Sequence, residues 1–197
     1  VAIVGVSLLL AVLTILIYYS AVMLGRIEGY KSLWYLIGFL LTGLVYLLTD
    51  CGVLDLWLHK SIVLYWTNAI AFMLMPIPLL VYIKRTFYPE SKRYDVLIAI
   101  NHLLLLGCIA EYMLSAFDLT KASIYVYTII LVAVISALFC RFKREKKLEK
   151  EVVLGSFVIG FATLEGLIAY LRGDSAGVSK LFGVALFAFS LCMLVYT

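Results

Sequence analysis

Long apolar runs separated by short polar clusters make up almost the whole chain. Seven such runs fall at roughly residues 1–24, 33–50, 61–83, 95–116, 122–140, 152–171 and 180–197. Each is close to the length that an α-helix needs to cross a hydrocarbon layer about 30 Å thick. Inside lipid a backbone finds no water to bond, so every run must close its own hydrogen bonds and is predicted to be a helix. The ~10-residue alternating segments of a membrane barrel are absent from the pattern. The predicted fold class is therefore all-α: a polytopic seven-transmembrane helix bundle occupying residues 1–197 as one domain. Trp34 and Trp57 lie near run ends, where interfacial anchors belong.

Composition strengthens this picture. The chain is 65% hydrophobic and 14% charged, with a mean hydropathy of +1.10, which leaves too little charge to coat a soluble domain of 197 residues. No residues remain for a soluble catalytic domain. No basic stretch precedes Val1 and no small-residue cleavage site follows, so the first run does not read as a secretion signal. The chain begins without Met and stops at Thr197 at the end of an apolar run, which suggests a segment of a longer polypeptide.

Charge predicts orientation. If the first helix runs from outside to inside, the inner loops hold Arg26, Lys31, Lys84, Arg85, Lys92, Arg93, Arg141, Lys143, Arg144, Lys146, Lys147 and Lys150. The outer loops then hold only Lys60, Lys121, Arg172 and Lys180. Basic residues in short loops mark the cytoplasmic side, so the N-terminus is expected outside and the C-terminus inside. The net charge of +4 is on this reading a topology signal, and nucleic acid is not an expected partner.

Candidate chemistry is sparse. Cys51, Cys108, Cys140 and Cys192 have no metal-like spacing and read chiefly as small apolar residues. No phosphate-binding loop, His-Glu metal pair or Ser-His-Asp set occurs, so no catalytic residue, metal or cofactor is expected in this segment. His59 and His102 fall on opposite sides of the membrane, which disfavours a membrane-embedded enzyme. Lys180 lies only at the outer start of the seventh run, which disfavours a retinal protein.

Ionisable groups inside membrane spans are costly, about 2.5–3.5 kcal/mol each on insertion scales, and usually face the bundle interior. Glu111 and Glu165 each lie about six residues from the outer end of their runs, or roughly 9 Å deep at 1.5 Å per residue. Asn68 and Thr128 share that depth, with Asp50 at the rim above them. Asp50, Asn68, Glu111, Thr128 and Glu165 thus form a candidate outer-leaflet sensing layer or proton-sensitive site. The alternative is that the glutamates reach to the interface or brace helices. Asn101 and His102, in the fourth run, suit hydrogen bonding between helices. Ser156, Gly160, Ala162 and Gly166 give the sixth run small residues for close helix approach.

Pro76 and Pro78 interrupt the third run. Each removes a backbone donor, which leaves the carbonyls of Phe72 and Leu74 without their helical partners. A kink is expected, either as a fixed bend or as a hinge. The basic run Arg141, Lys143, Arg144, Lys146, Lys147 is expected to extend the fifth helix into the cytoplasm. It reads as a topology-setting loop beside anionic lipid or as a coupling surface for a cytoplasmic module, joined by the loop Arg85–Arg93.

The stretch Asn68-Ala-Ile-Ala-Phe-Met-Leu-Met-Pro-Ile-Pro-Leu-Leu80, with Leu48-Thr-Asp-Cys-Gly-Val-Leu-Asp55 before it, resembles bacterial seven-transmembrane receptors with diverse intracellular signalling modules (7TMR-DISM). It is most similar to those fused to GGDEF diguanylate cyclase domains. The local likeness covers about 30 residues and the topology covers the chain. The resemblance implies a multi-pass protein of the bacterial inner membrane, with an extracytoplasmic N-terminal domain and a C-terminal signalling module as partners and homodimerisation as an option. No GGDEF motif lies within these residues, so any such enzyme would follow Thr197. The competing expectation is a small transporter or channel, although no paired repeat is evident.

Overall fold

The structure is a computed structural model and describes residues 30–50, 61–113, 122–142, 150–172 and 178–196, with Leu16 apart from them. Among these every regular element is an α-helix: α1 (Tyr30–Asp50), α2 (Ser61–Leu74), α3 (Pro76–Phe87), α4 (Lys92–Met113), α5 (Ala122–Phe142), α6 (Lys150–Arg172) and α7 (Val178–Tyr196). The last six expected spans correspond to these helices, with ends displaced by a few residues. The expected first span, 1–24, lies outside the described residues except for Leu16, which packs against the core.

Two stretches, Ile62–Phe87 and Val152–Arg172, are long and apolar enough to cross a membrane. At 1.5 Å per residue these 26- and 21-residue helices extend about 39 and 31 Å.

The helices close into a ring. α1 packs against α2, α3 and α7; α7 packs along α6; α6 meets α5; and α5 returns to α2 and α3. α4 lies outside this ring against α3 and α5. The interior is filled by side chains from all sides of the ring, including Phe39, Met75, Leu79, Ile130, Ile159, Phe182 and Leu186, each at most 1% exposed. Outward-facing positions are apolar as well: Ile62, Leu103, Phe161 and Leu171 are each more than 60% exposed. A water-soluble bundle would carry charge at such positions.

Small residues set the closest approaches. A side chain at Gly155 on α6 would bring a Cβ to 2.9 Å from Cys192 Cβ and 3.1 Å from Met193 Cε on α7. At Gly160 the same atom would touch Val134 of α5 at 3.4 Å. Ser156, Ala162 and Gly166 are buried too, so the small-residue face of α6 fits between α5 and α7. Gly155, adjacent to the expected small-residue set, is its tightest member.

The third expected helix is interrupted where the prolines predict it. Met75 keeps helical dihedrals, φ −54 and ψ −42, yet separates α2 from α3. Its N–H reaches Ala71 O at 3.2 Å and Phe72 O at 3.3 Å. The Phe72 carbonyl, expected to lose its partner to Pro76, is therefore re-satisfied one residue earlier. Past the break, Pro78 packs where Gly38 of α1 comes near, 3.4 Å from the position of an added Cβ. α3 ends in Lys84 and Arg85, cations suited to the negative end of a helix, and Tyr88 N–H closes it on Lys84 O at 2.8 Å.

Because Cys192 Cβ sits beside its own backbone, it cannot yield as a flexible tip would. Gly155→Ala should lower stability by about 1–3 kcal/mol through overpacking, read as a lower thermal midpoint of the purified protein in lipid discs. Gly107→Ala, on an α4 face with nothing within 4 Å, should leave stability unchanged or raised.

Candidate functional site

A polar cluster joins α1, α2 and α5 above the proline break. Tyr46, Thr49 and Asp50 are spaced three and four apart on α1, which puts them on one face of its last turn. Asn68 enters from α2, half-buried, and its Nδ2 donates to Tyr46 O at 3.2 Å and to Thr49 Oγ1 at 2.9 Å. The Thr49 hydroxyl in turn donates back into its own helix, 2.8 Å from both Val45 O and Tyr46 O. Thr49 is thus fixed as an acceptor for Asn68. One amide thereby ties two helices through three polar atoms.

Rings surround this amide. Tyr46 lies over Phe72 at 4.7 Å, tilted by 31°, and meets the edge of Phe182 from α7 at 6.3 Å. Phe72 presents an edge to Tyr127 of α5 at 5.0 Å. The Tyr46 and Tyr127 phenols share a hydrogen bond, and the exposed carboxylate of Asp50 lies within electrostatic reach of Tyr127. Offset and edge-on ring pairs of this kind contribute about 0.5–1.5 kcal/mol each beyond simple burial. The cluster therefore makes a compact joint linking four helices, with a carboxylate at its rim.

The expected five-residue layer is only partly brought together. Asn68 and Asp50 belong to the cluster just described. Thr128 is exposed, turned away, and donates to Ile124 O of its own helix at 2.8 Å. Glu165 is exposed on α6, on the same side as Phe161 and Leu164. Glu111 is within α4, but its side chain lies outside the described residues. An expected common depth does not fix a common face. The two tyrosines that complete the joint, Tyr46 and Tyr127, were missed; the Tyr46-Thr49-Asp50 spacing was the available signal.

A second set of contacts gathers at the other end of α3. Lys84 and Asp95 form an ion pair between α3 and α4. Arg85 places its guanidinium 4.7 Å from the ring centre of Tyr35 on α1. Tyr88 stacks on Tyr94 at 5.5 Å with the rings within 6° of parallel. The Tyr94 hydroxyl meets Ser136 Oγ of α5 at 2.8 Å. Since the Ser136 hydroxyl donates to Ala133 O at 2.9 Å, Tyr94 is the donor. The end of α3 is thus tied to α1, α4 and α5 at once. The Lys84–Asp95 pair is partly exposed, so it contributes little by itself, about 0–1 kcal/mol; the rings are the firmer part.

The segment expected as a loop from Arg85 to Arg93 is therefore largely helix end and packed turn. Of the basic set expected as a coupling surface, Arg141 lies in the last turn of α5. Lys143, Arg144, Lys146 and Lys147 fall outside the described residues. His102 does not bond a neighbouring helix: it is exposed and its Nδ1 meets Ile98 O of its own helix at 2.7 Å. Asn101 is buried. Among the described residues, no three His, Cys, Asp or Glu side chains gather as a metal site. Compared with known proteins, the chain matches no family model, no curated protein and no solved structure.

Asn68→Leu removes both bonds from α2 to α1 and should lower stability by about 0.6–1.7 kcal/mol, the range for side-chain hydrogen bonds between membrane helices. Thr128→Ala and Glu165→Gln, away from the joint, should each stay within about 0.5 kcal/mol of the parent. Reversible unfolding in lipid discs or mixed micelles reads all three.

Proposed function

We propose that this chain is the transmembrane transmitter of a membrane receptor. On this reading it crosses a bacterial inner membrane seven times, N-terminus outside and C-terminus inside, and relays an outer cue to a C-terminal cytoplasmic module such as a diguanylate cyclase. The apolar outward faces and the two membrane-length helices support the lipid setting. The distribution of basic residues and the resemblance to 7TMR-DISM proteins support the direction and the class.

One observation carries the reading. A single interrupted helix reaches from the Asn68 joint to the Arg85 and Tyr88 contacts, with Met75, Pro76 and Pro78 between them. An event that loosens the outer joint shifts α2 against α1. The proline break lets α3 answer as a separate rod, and the rings at its end pass the shift to α1, α4 and α5. Such coupling needs two arrangements separated by only a few kcal/mol. Joints made of single hydrogen bonds and ring contacts meet that requirement. A carrier reading gains less, because the exposed Glu165 does not converge with the joint.

A chimaera tests this. Thr197 is joined in frame to a reporter diguanylate cyclase module whose activity depends on the arrangement of its attached helices. Asn68→Leu and the double variant Pro76→Ala/Pro78→Ala should each change cyclic dinucleotide output several-fold at equal amounts of membrane-inserted protein. Output that ignores both changes, or solute flux through vesicles bearing the purified domain, would contradict the receptor reading.

A further inference from the structure

Asn101 sits nine residues into α4, about 13 Å along the helix from Lys92. It is only 3% exposed, and among the described residues its Nδ2 has no hydrogen-bond partner. A buried amide donor left in that condition is costly, because its lost hydration is not replaced. The neighbouring His102 satisfies itself on its own helix, so the orphaned donor is particular to Asn101 and not a general property of this stretch.

Asn101 lines a crevice where α2, α4 and α5 meet, together with Met73, Leu105, Tyr125, Val126 and Ile129. The space open to the centre of a water molecule is about 10 Å³, close to the minimum that holds one water. It is too small for an organic ligand. Asn101 from α4 and Tyr125 from α5 are the polar residues of its wall, and the rest are apolar. Met73 is the lining residue that α2 contributes.

We propose that this crevice binds one water molecule as a structural ligand, with Asn101 Nδ2 as its donor. The bound water satisfies the amide and adds to the polar contacts that α4 already makes through Asp95 and Tyr94. This inference does not depend on the receptor reading; it requires only the packing of α2, α4 and α5.

Two substitutions and one spectrum test it on the full chain in lipid discs. Infrared spectra taken during exchange into heavy water record the O–D stretch of weakly bonded internal water. Asn101→Leu removes the donor and should abolish one such band while leaving the thermal midpoint unchanged or higher, since no amide remains to be satisfied. Val126→Ile adds one methylene to the crevice wall; it should abolish the same band and lower the midpoint by several degrees, because Asn101 then stays buried without a partner. An identical O–D region in the parent and both variants would overturn the proposal. So would a fall in midpoint for Asn101→Leu as large as that for Val126→Ile.

Discussion

Backbone hydrogen bonding is the constraint on which the rest of this structure depends. In the membrane setting proposed above, a chain that presents Ile62, Leu103, Phe161 and Leu171 outward cannot rely on water to satisfy a broken helix. Each interruption must be closed by the protein itself. At Met75, which keeps ordinary helical dihedrals, one N–H is shared between the carbonyls of Ala71 and Phe72, so the partner that Pro76 removes from Phe72 is replaced. The helix is thereby divided into two rods without being unravelled. That division separates the joint made by Asn68 from the contacts made by Arg85 and Tyr88.

The two ends of this helix are built differently. Above the break, one amide bridges to a threonine and a backbone carbonyl, inside a sleeve of Tyr46, Phe72, Tyr127 and Phe182. Below it, a cation over a ring, a parallel tyrosine stack and a phenol-serine bond fan out to three helices. By contrast, α6 and α7 lock through Gly155 against Cys192, whose Cβ is fixed to its backbone and cannot move aside. The bundle thus pairs a rigid side, α6 with α7, with a more adjustable one around α2 and α3. The receptor role proposed above would need both: a fixed frame, and an element whose alternative packings differ little in energy.

The helices were legible in the sequence because run length and the positions of charges and prolines mark their ends. The packing partners were not, for a physical reason. In a soluble helix the polar face points outward and the apolar stripe inward. Here both faces are apolar, so hydropathy reveals depth but not rotation about the helix axis. Asn68, Thr128 and Glu165 are expected at one depth from sequence position, yet of the three only Asn68 turns toward a neighbouring helix. Tyr46 and Tyr127 do not stand out in the sequence because tyrosine is common in this chain, 14 in all. Gly155 was overlooked beside the more regular Ser156-Gly160 spacing, although it makes the closer approach.

Orientation in lipid is the premise beneath all of this, and impermeant thiol labelling in intact cells tests it most directly. With the native cysteines replaced, a single cysteine is placed either at Lys121 or at Lys146. The account predicts labelling of Lys121→Cys from outside and of Lys146→Cys only after the membrane is opened. Labelling of Lys146→Cys in sealed cells, or recovery of either protein in the soluble fraction, would contradict it.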